Sequence, residues 1–438
     1  MRLRRLFVAQ SLASKGRKSH LPLVRDPAVG RPRHNATVKR GLVLVVLALV
    51  LTQHALAGDI RLSTRLANAL AVRGNTWSTS AALAVDLQSD GVVFSRNADL
   101  SLAPASNEKL PVTFAALKQL GPSYRFKTEV LGRGTQDGTV WHGDLFLKGF
   151  GDPTLTSARL GRLARAIADA GITRVAGRVY GDETWFDAKR AAPGWKLGYL
   201  VYECPPLSAL VVDRAVYDGH TALKPALAAA GTFRRLLRGF GVTTGPVGLG
   251  RAPASATLLA TSESATLRNV IAVMDRDSDN FRAEMVLKEL GAEAGTAGTT
   301  AAGAAVVRRV LAEAEVPLAG VVIADGSGLS LLDRLTATAI ARILTTSWSD
   351  PELKGAFWSA LPAAGEQGTL VHRLNKTAAV GVVRAKTGTT NEASALSGYV
   401  RDRFAFVVVQ NGAPVSASAA RKAQDRFALA LARVSASE

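Results

Sequence analysis

Apolar and polar positions alternate from Ala81 to Leu87, stop at Ser89-Asp90-Gly91 and resume from Val92 to Ser95, which predicts a β-hairpin. The period then lengthens. Leu110, Phe114, Leu117 and Leu120 recur at helical spacing within 105–120, and Gly121 supplies a stop. Pro111 falls inside the first turns, where a kink is expected. From about Lys127 to Gly250, short strand-like runs such as 139–147 and 178–180 are separated by Gly and Pro, with one clear helix at 160–170 closed by Gly171. A further helix-like stretch covers 221–237. Helices follow at 264–274 and 280–290. The Ala/Gly/Thr-rich stretch from Gly291 to Gly303 reads as a loop leading into a helix at 304–314. A short apolar run at 321–323 and a helix at 336–346 precede a strand series at 380–386, 395–400 and 404–410, and a final helix at 419–433 closes the chain.

Strands at both ends and helices in the first and last thirds predict a mixed α/β (α+β) chain. An antiparallel sheet built from N- and C-terminal strands would be covered by helices and interrupted by an inserted β-rich domain. The expected division is a leader at 1–57, the first part of the main domain at 58–130, the insertion at 131–250 and the second part at 251–438.

Composition changes little in this picture, but charge does. The 438 residues are 47% hydrophobic and 20% charged, an ordinary globular balance that excludes wholesale disorder, collagen and coiled coil. The formal charge is +19. Residues 1–57 carry eleven Lys/Arg against the single acid Asp26, so ten of those nineteen charges sit in the leader. The excess is therefore no nucleic-acid footprint, and no nucleic-acid partner is expected. Lys39-Arg40, the apolar run 41–51 and Ala55-Leu56-Ala57 form a secretory signal pattern, with cleavage expected after Ala57. An uncleaved anchor or a buried helix is the alternative. Export would place the chain outside the cytoplasm, in or near the cell wall. Cys204 is the only cysteine, so no intramolecular disulfide or cysteine-based zinc cluster can form.

His142, His220 and His372 never pair at HExxH spacing, GxSxG is missing, and no glycine-rich segment ends in Lys-Ser/Thr. Zincin, α/β-hydrolase and phosphate-loop chemistries are thereby excluded, and neither a metal nor an organic cofactor is expected.

Three fragments remain. Ser106-Asn107-Glu108-Lys109 puts a hydroxyl and an amine three residues apart, on one face of a helix. A serine needs a base to become a nucleophile. A desolvated lysine can be that base. The alternative is a helix cap with a solvated lysine. Ser278-Asp279-Asn280 offers a hydroxyl for proton relay and an amide for a peptide backbone or a lysine, or else simply caps the helix beginning near Asn280. Lys386-Thr387-Gly388 ends an apolar strand with a cation and a hydroxyl fit for a carboxylate, and Gly388 allows close approach. Thr389 can turn its N–H toward that of Ser106, and the two would form an oxyanion hole.

In this order the three fragments are the signatures of the penicillin-recognising serine enzymes. The chain resembles the D-alanyl-D-alanine carboxypeptidase/endopeptidases, the low-molecular-mass class C penicillin-binding proteins. Supporting stretches include 104–110, 120–126, 147–154, 177–182, 325–330, 364–370, 384–389 and 396–399. The resemblance implies a β-lactamase/transpeptidase-like fold and no cofactor. It implies that Ser106 attacks the carbonyl between two D-alanines while Lys109 takes its proton. Ser278 would relay a proton to the leaving amine, and Asn280 would contact substrate or lysine. Lys386 and Thr387 would hold the terminal carboxylate, with Gly388 and Thr389 completing the edge. Expected partners are peptidoglycan stem peptides or cross-links, with β-lactams as covalent inhibitors. The insertion looks short for the family. A β-lactamase-type hydrolase and an inactive wall-binding scaffold are the competing readings.

Overall fold

Ser80–Asp86 is buried at every position. The expected alternation gives way to cover on both faces: Ala81, Leu83 and Val85 enter one apolar cluster, Ala82 and Ala84 another. The computed structural model describes residues 60–74 and 76–434. The leader and apolar run expected at 1–57 lie outside the described residues.

The strand belongs to a five-stranded antiparallel sheet in the order Val383–Thr389, Ala393–Val400, Phe404–Asn411, Ser80–Asp86, Val92–Arg96. N- and C-terminal strands thus share one sheet, as the pattern implied. One face packs on the helix Ala337–Ser349, and behind it Lys109–Gln119, Leu267–Arg276, Asn280–Ala294, Thr300–Glu313 and Pro351–Ala360 join the same apolar cluster. The other packs on a helix at 60–70 and on Ala417–Val434, where Phe427 and Leu431 meet Phe406. In Lys109–Gln119, Leu110, Phe114 and Leu117 are buried. Each such side chain stabilises by about 1.5–3 kcal/mol. Pro111 lies in the first turn, where its missing N–H would have had no helical partner.

One expectation along this half is corrected. Gly291 and Gly303 lie inside helices, and the loop between these helices spans only 295–299. A Cβ on Gly303 would stand 1.9 Å from the Leu287 carbonyl oxygen, so these glycines let two helices cross at close range. The apolar run 321–323 makes a single bridge, Val322 to Arg334. A helix absent from the expectation, Pro351–Ala360, is capped by the Asp350 side chain and buries Leu353, Ala356, Phe357 and Ala360.

A second, seven-stranded sheet has as its main path Val247–Leu249, Val179–Asp182, Val140–Gly149, Lys127–Asp137, Thr257–Glu263. The helices Ser157–Asp169 and Pro225–Gly239 cover it around Leu163, Ile167 and Phe233. This sheet is wider than residues 131–250. Lys127–Asp137 pairs with Thr257–Glu263 from Thr257–Gly132 to Glu263–Lys127, with a register shift between Leu258 and Ala260, which carries it past both limits. In a separate apolar cluster, Phe186, Cys204, Leu207 and Val211 pack with Phe281 and Met285 of the helix Asn280–Ala294 and with Leu329. Among the described residues, no helix is long and apolar enough to cross a membrane.

Candidate active site

Ser106 lies in a short 3₁₀ turn, Ala105–Glu108, that runs straight into the helix Lys109–Gln119. Ala105 holds φ +47°, a left-handed conformation that costs a non-glycine residue energy and is retained only where the surroundings enforce it. Lys109 is fully buried. Its Nζ donates to Ser106 Oγ at 3.1 Å, to Asn280 Oδ1 at 2.8 Å and to the Ser327 carbonyl at 2.6 Å. Burial pulls its pKa down, against the opposing pull of Asp325, Asp275, Glu284 and Asp279. The alternative of a solvated lysine at a helix cap is therefore excluded.

Ser278, Asp279 and Asn280 divide the tasks that sequence left open. Asp279 is the helix cap: its carboxylate accepts from Arg282 N at 3.0 Å and pairs with Arg214. Ser278, at φ +59°, and Asn280 turn instead to the two lysines. Ser278 Oγ accepts from Lys386 Nζ at 2.8 Å. Asn280 Nδ2 donates to the Glu203 carbonyl at 3.2 Å.

Lys386 sits within the edge strand Val383–Thr389 and is fully buried. Its Nζ also donates to the Thr387 carbonyl at 2.7 Å. Burial first, then the charge of Lys109, hold its pKa well below the usual lysine range, and Asp275 opposes this. The outer edge of the strand is occupied at Ala385, whose N–H donates to the Pro362 carbonyl. Antiparallel strands alternate their backbone polarity, so Thr387 and Thr389 turn N–H and C=O to this same edge beyond the cover. Asn107 Nδ2 donates to the Lys386 carbonyl at 3.1 Å, fixing the serine turn against the strand. A Cβ on Gly388 would stand 3.1 Å from Ser106 N, which gives the close approach its reason. Thr387 Oγ1 bonds Thr369 Oγ1 at 2.8 Å, and Thr389 Oγ1 donates to the Gly388 carbonyl. All eight sequence candidates thus meet at one edge of the first sheet.

A groove of about 370 Å³ opens beside Thr389, bounded by Tyr199, Glu203, Leu329 and Asn391. A larger groove of about 610 Å³, between Val92 and Arg342, contains none of these residues.

The model of the D-Ala-D-Ala carboxypeptidase 3 (S13) family matches residues 62–223 and 219–434. The chain belongs to this family. It is 33% identical to the D-alanyl-D-alanine carboxypeptidase of Actinomadura sp. (strain R39), over 81% of each chain. It is 30% identical to a carboxypeptidase of Mycobacterium tuberculosis, over 72% of each. Among solved structures, penicillin binding protein 4 of Haemophilus influenzae superposes with a TM-score of 0.74 at 20% identity, over 86% of this chain and 98% of that one. The β-lactamase/transpeptidase-like architecture expected from the motifs is therefore the fold of this chain.

Several groups that shape the site were not singled out as candidates. Asp275 is fully buried, accepts from Thr113 Oγ1 at 2.7 Å, and has its pKa pushed up to about 7, chiefly by burial. Its signal was available: Leu267, Ile271 and Asp275 share a four-residue spacing, so an acid stands where the helix buries its apolar stripe. Glu284 Oε1 accepts from Gly326 N and Ser327 N, and burial raises its pKa to about 8. Asp325 collects donors from the same turn. Among the described residues, no three acids, histidines or cysteines are grouped to hold a metal ion.

Proposed function

We propose that this protein is a penicillin-binding serine D-alanyl-D-alanine carboxypeptidase that works on peptidoglycan peptides through an acyl-enzyme at Ser106. The observation that carries the reading is the fully buried Lys109 amine 3.1 Å from Ser106 Oγ. Burial disfavours the ammonium, so the amine can accept the serine proton as the hydroxyl attacks the carbonyl between two D-alanines. The N–H groups of Ser106 and Thr389 receive the oxyanion. Lys386 and Thr387 hold the terminal carboxylate, whose charge compensates the cost of a buried ammonium. Ser278, bonded to Lys386, returns a proton to the departing D-alanine amine. Asn280 orients Lys109 and the peptide. Water then cleaves the ester and frees Ser106. A β-lactam presents the same carbonyl and carboxylate, so it acylates Ser106 as well.

In this reading the main domain is divided in sequence by an insertion that carries the second sheet, and the leader directs export to the cell wall. Family membership and the convergence of the three motifs support a working enzyme over an inactive scaffold. The test is release of D-alanine from a peptide ending in D-Ala-D-Ala. Wild type should release it, and Ser106→Ala and Lys109→Ala should not. Equal release by Ser106→Ala would refute the assignment.

A further inference from the structure

Lys109 is held on one side by a turn that has its own support, and that support reaches into the inserted region. The Ser327 carbonyl accepts from Lys109 Nζ at 2.6 Å, the shortest of the three bonds made by the amine. The turn carrying Ser327 also presses on the serine. Gly328 has φ +82°, and a Cβ there would stand 1.9 Å from the Ala105 carbonyl oxygen and 3.0 Å from Ser106 N. A shift of this turn would therefore disturb base and nucleophile together.

Asp325 organises the turn. It is fully buried, with Oδ1 accepting from Ser327 N at 3.0 Å and Gly328 N at 2.6 Å, and Oδ2 accepting from Ser330 N at 2.7 Å and Ser327 Oγ at 3.2 Å. A further donor comes from far away in the chain: Trp195 Nε1, at 2.8 Å from Oδ2. The segment carrying Trp195 is fastened nearby by a second bond, from Ser330 Oγ to the Pro193 carbonyl at 2.8 Å. It continues along the cleft to Glu203, whose carbonyl takes Asn280 Nδ2. Lys196 reaches Glu392 at 2.8 Å, but both side chains are more than a third exposed, so this pair contributes little. The link that ends on a fully buried group is the Trp195–Asp325 bond, made from a half-buried indole.

We propose that Trp195 is a positioning residue for acylation: its indole N–H fixes Asp325, which sets the turn whose Ser327 carbonyl holds Lys109 against Ser106. The inserted region then takes part in the chemistry through this hydrogen bond, beside the one that its Glu203 carbonyl accepts from Asn280, without touching the reacting atoms. An indole N–H onto a buried carboxylate is a charge-assisted bond in a low-dielectric setting, and its loss leaves an acceptor underserved. Small displacements of a reacting pair are costly in rate.

The inference rests on the proposed roles of Ser106 and Lys109, and the experiment separates the two. The full chain and Trp195→Phe, which keeps the ring and removes the donor, are treated with increasing concentrations of a fluorescent penicillin. The maximal acylation rate and the half-saturating concentration are read for each. We expect the maximal rate to fall about tenfold in Trp195→Phe, at unchanged half-saturation. In an Asp325→Asn background the same change should cost nothing further, since both act through one carboxylate. Leu197→Ala, a fully exposed position two residues along, should behave as wild type. An unchanged maximal rate in folded Trp195→Phe would overturn the inference. So would a rise in half-saturation alone, which would make Trp195 a wall of the cleft. An equal loss in Leu197→Ala would overturn it too. Failure of the wild type itself to label Ser106 would instead refute the underlying reading, and this inference with it.

Discussion

Asn280 Oδ1 accepts a hydrogen bond from Lys109 Nζ at 2.8 Å, so an amide from one motif fixes the amine of another across 171 positions of sequence. Asn280→Ala would leave the amine with Ser106 and Ser327 only. Acylation by penicillin should slow about 100-fold through misplacement of the base, with the thermal midpoint little changed. Asn280→Asp would instead put a carboxylate beside Lys109 and favour the ammonium. Its acylation should fall at neutral pH and recover as pH rises, because the amine must lose its proton to act. A pH profile identical to wild type would contradict this role.

Removing the charge of Asp275 tests the opposite direction. Its carboxylate raises the pKa of both lysines, although burial keeps each below the usual value. Asp275→Asn can keep the bond from Thr113 and removes the negative charge. Loss of an anion beside an ammonium disfavours the ammonium, so the acid limb of the acylation profile should move to lower pH. A limb that stays in place or moves up would show that Asp275 does not face the amines electrostatically.

Gly328 combines positive φ with contact at the serine turn. Gly328→Ala should destabilise by about 1–3 kcal/mol through steric overpacking, with added backbone strain. Acylation should slow in the folded fraction as well. A denaturant titration measures the first effect and a labelling time course the second. A variant as stable and as fast as wild type would mean that the Ala105 carbonyl yields freely.

Lys386→Ala should weaken selection for a free terminal carboxylate, read as a smaller preference for the acid over the amidated peptide. If wild type already cuts both equally, the carboxylate role of Lys386 is wrong.

Much of this was legible in the sequence because the chemistry is local. Ser106 and Lys109 share a turn, Ser278 and Asn280 flank one helix start, and Lys386 to Thr389 lie on one strand. What sequence could not give was the set of contacts between these pieces. The short run 291–303 read as a loop because glycine breaks isolated helices, whereas Gly303 is there to admit the Leu287 carbonyl of a neighbouring helix. The helix Pro351–Ala360 was missed although Asp350-Pro351 is a readable start, with a capping side chain followed by proline. Asp275 stood in an apolar stripe and passed unremarked. The bond from Trp195 to Asp325 spans two regions and has no sequence signal at all.

Ser106 as nucleophile is the centre of the mechanism, and one measurement addresses it directly. The purified protein is incubated with a fluorescent penicillin, digested, and the labelled peptide sequenced by mass spectrometry, with Ser106→Ala as control. A single adduct on Ser106, and none in the variant, is expected. Label on another residue, or undiminished label in folded Ser106→Ala, would contradict it.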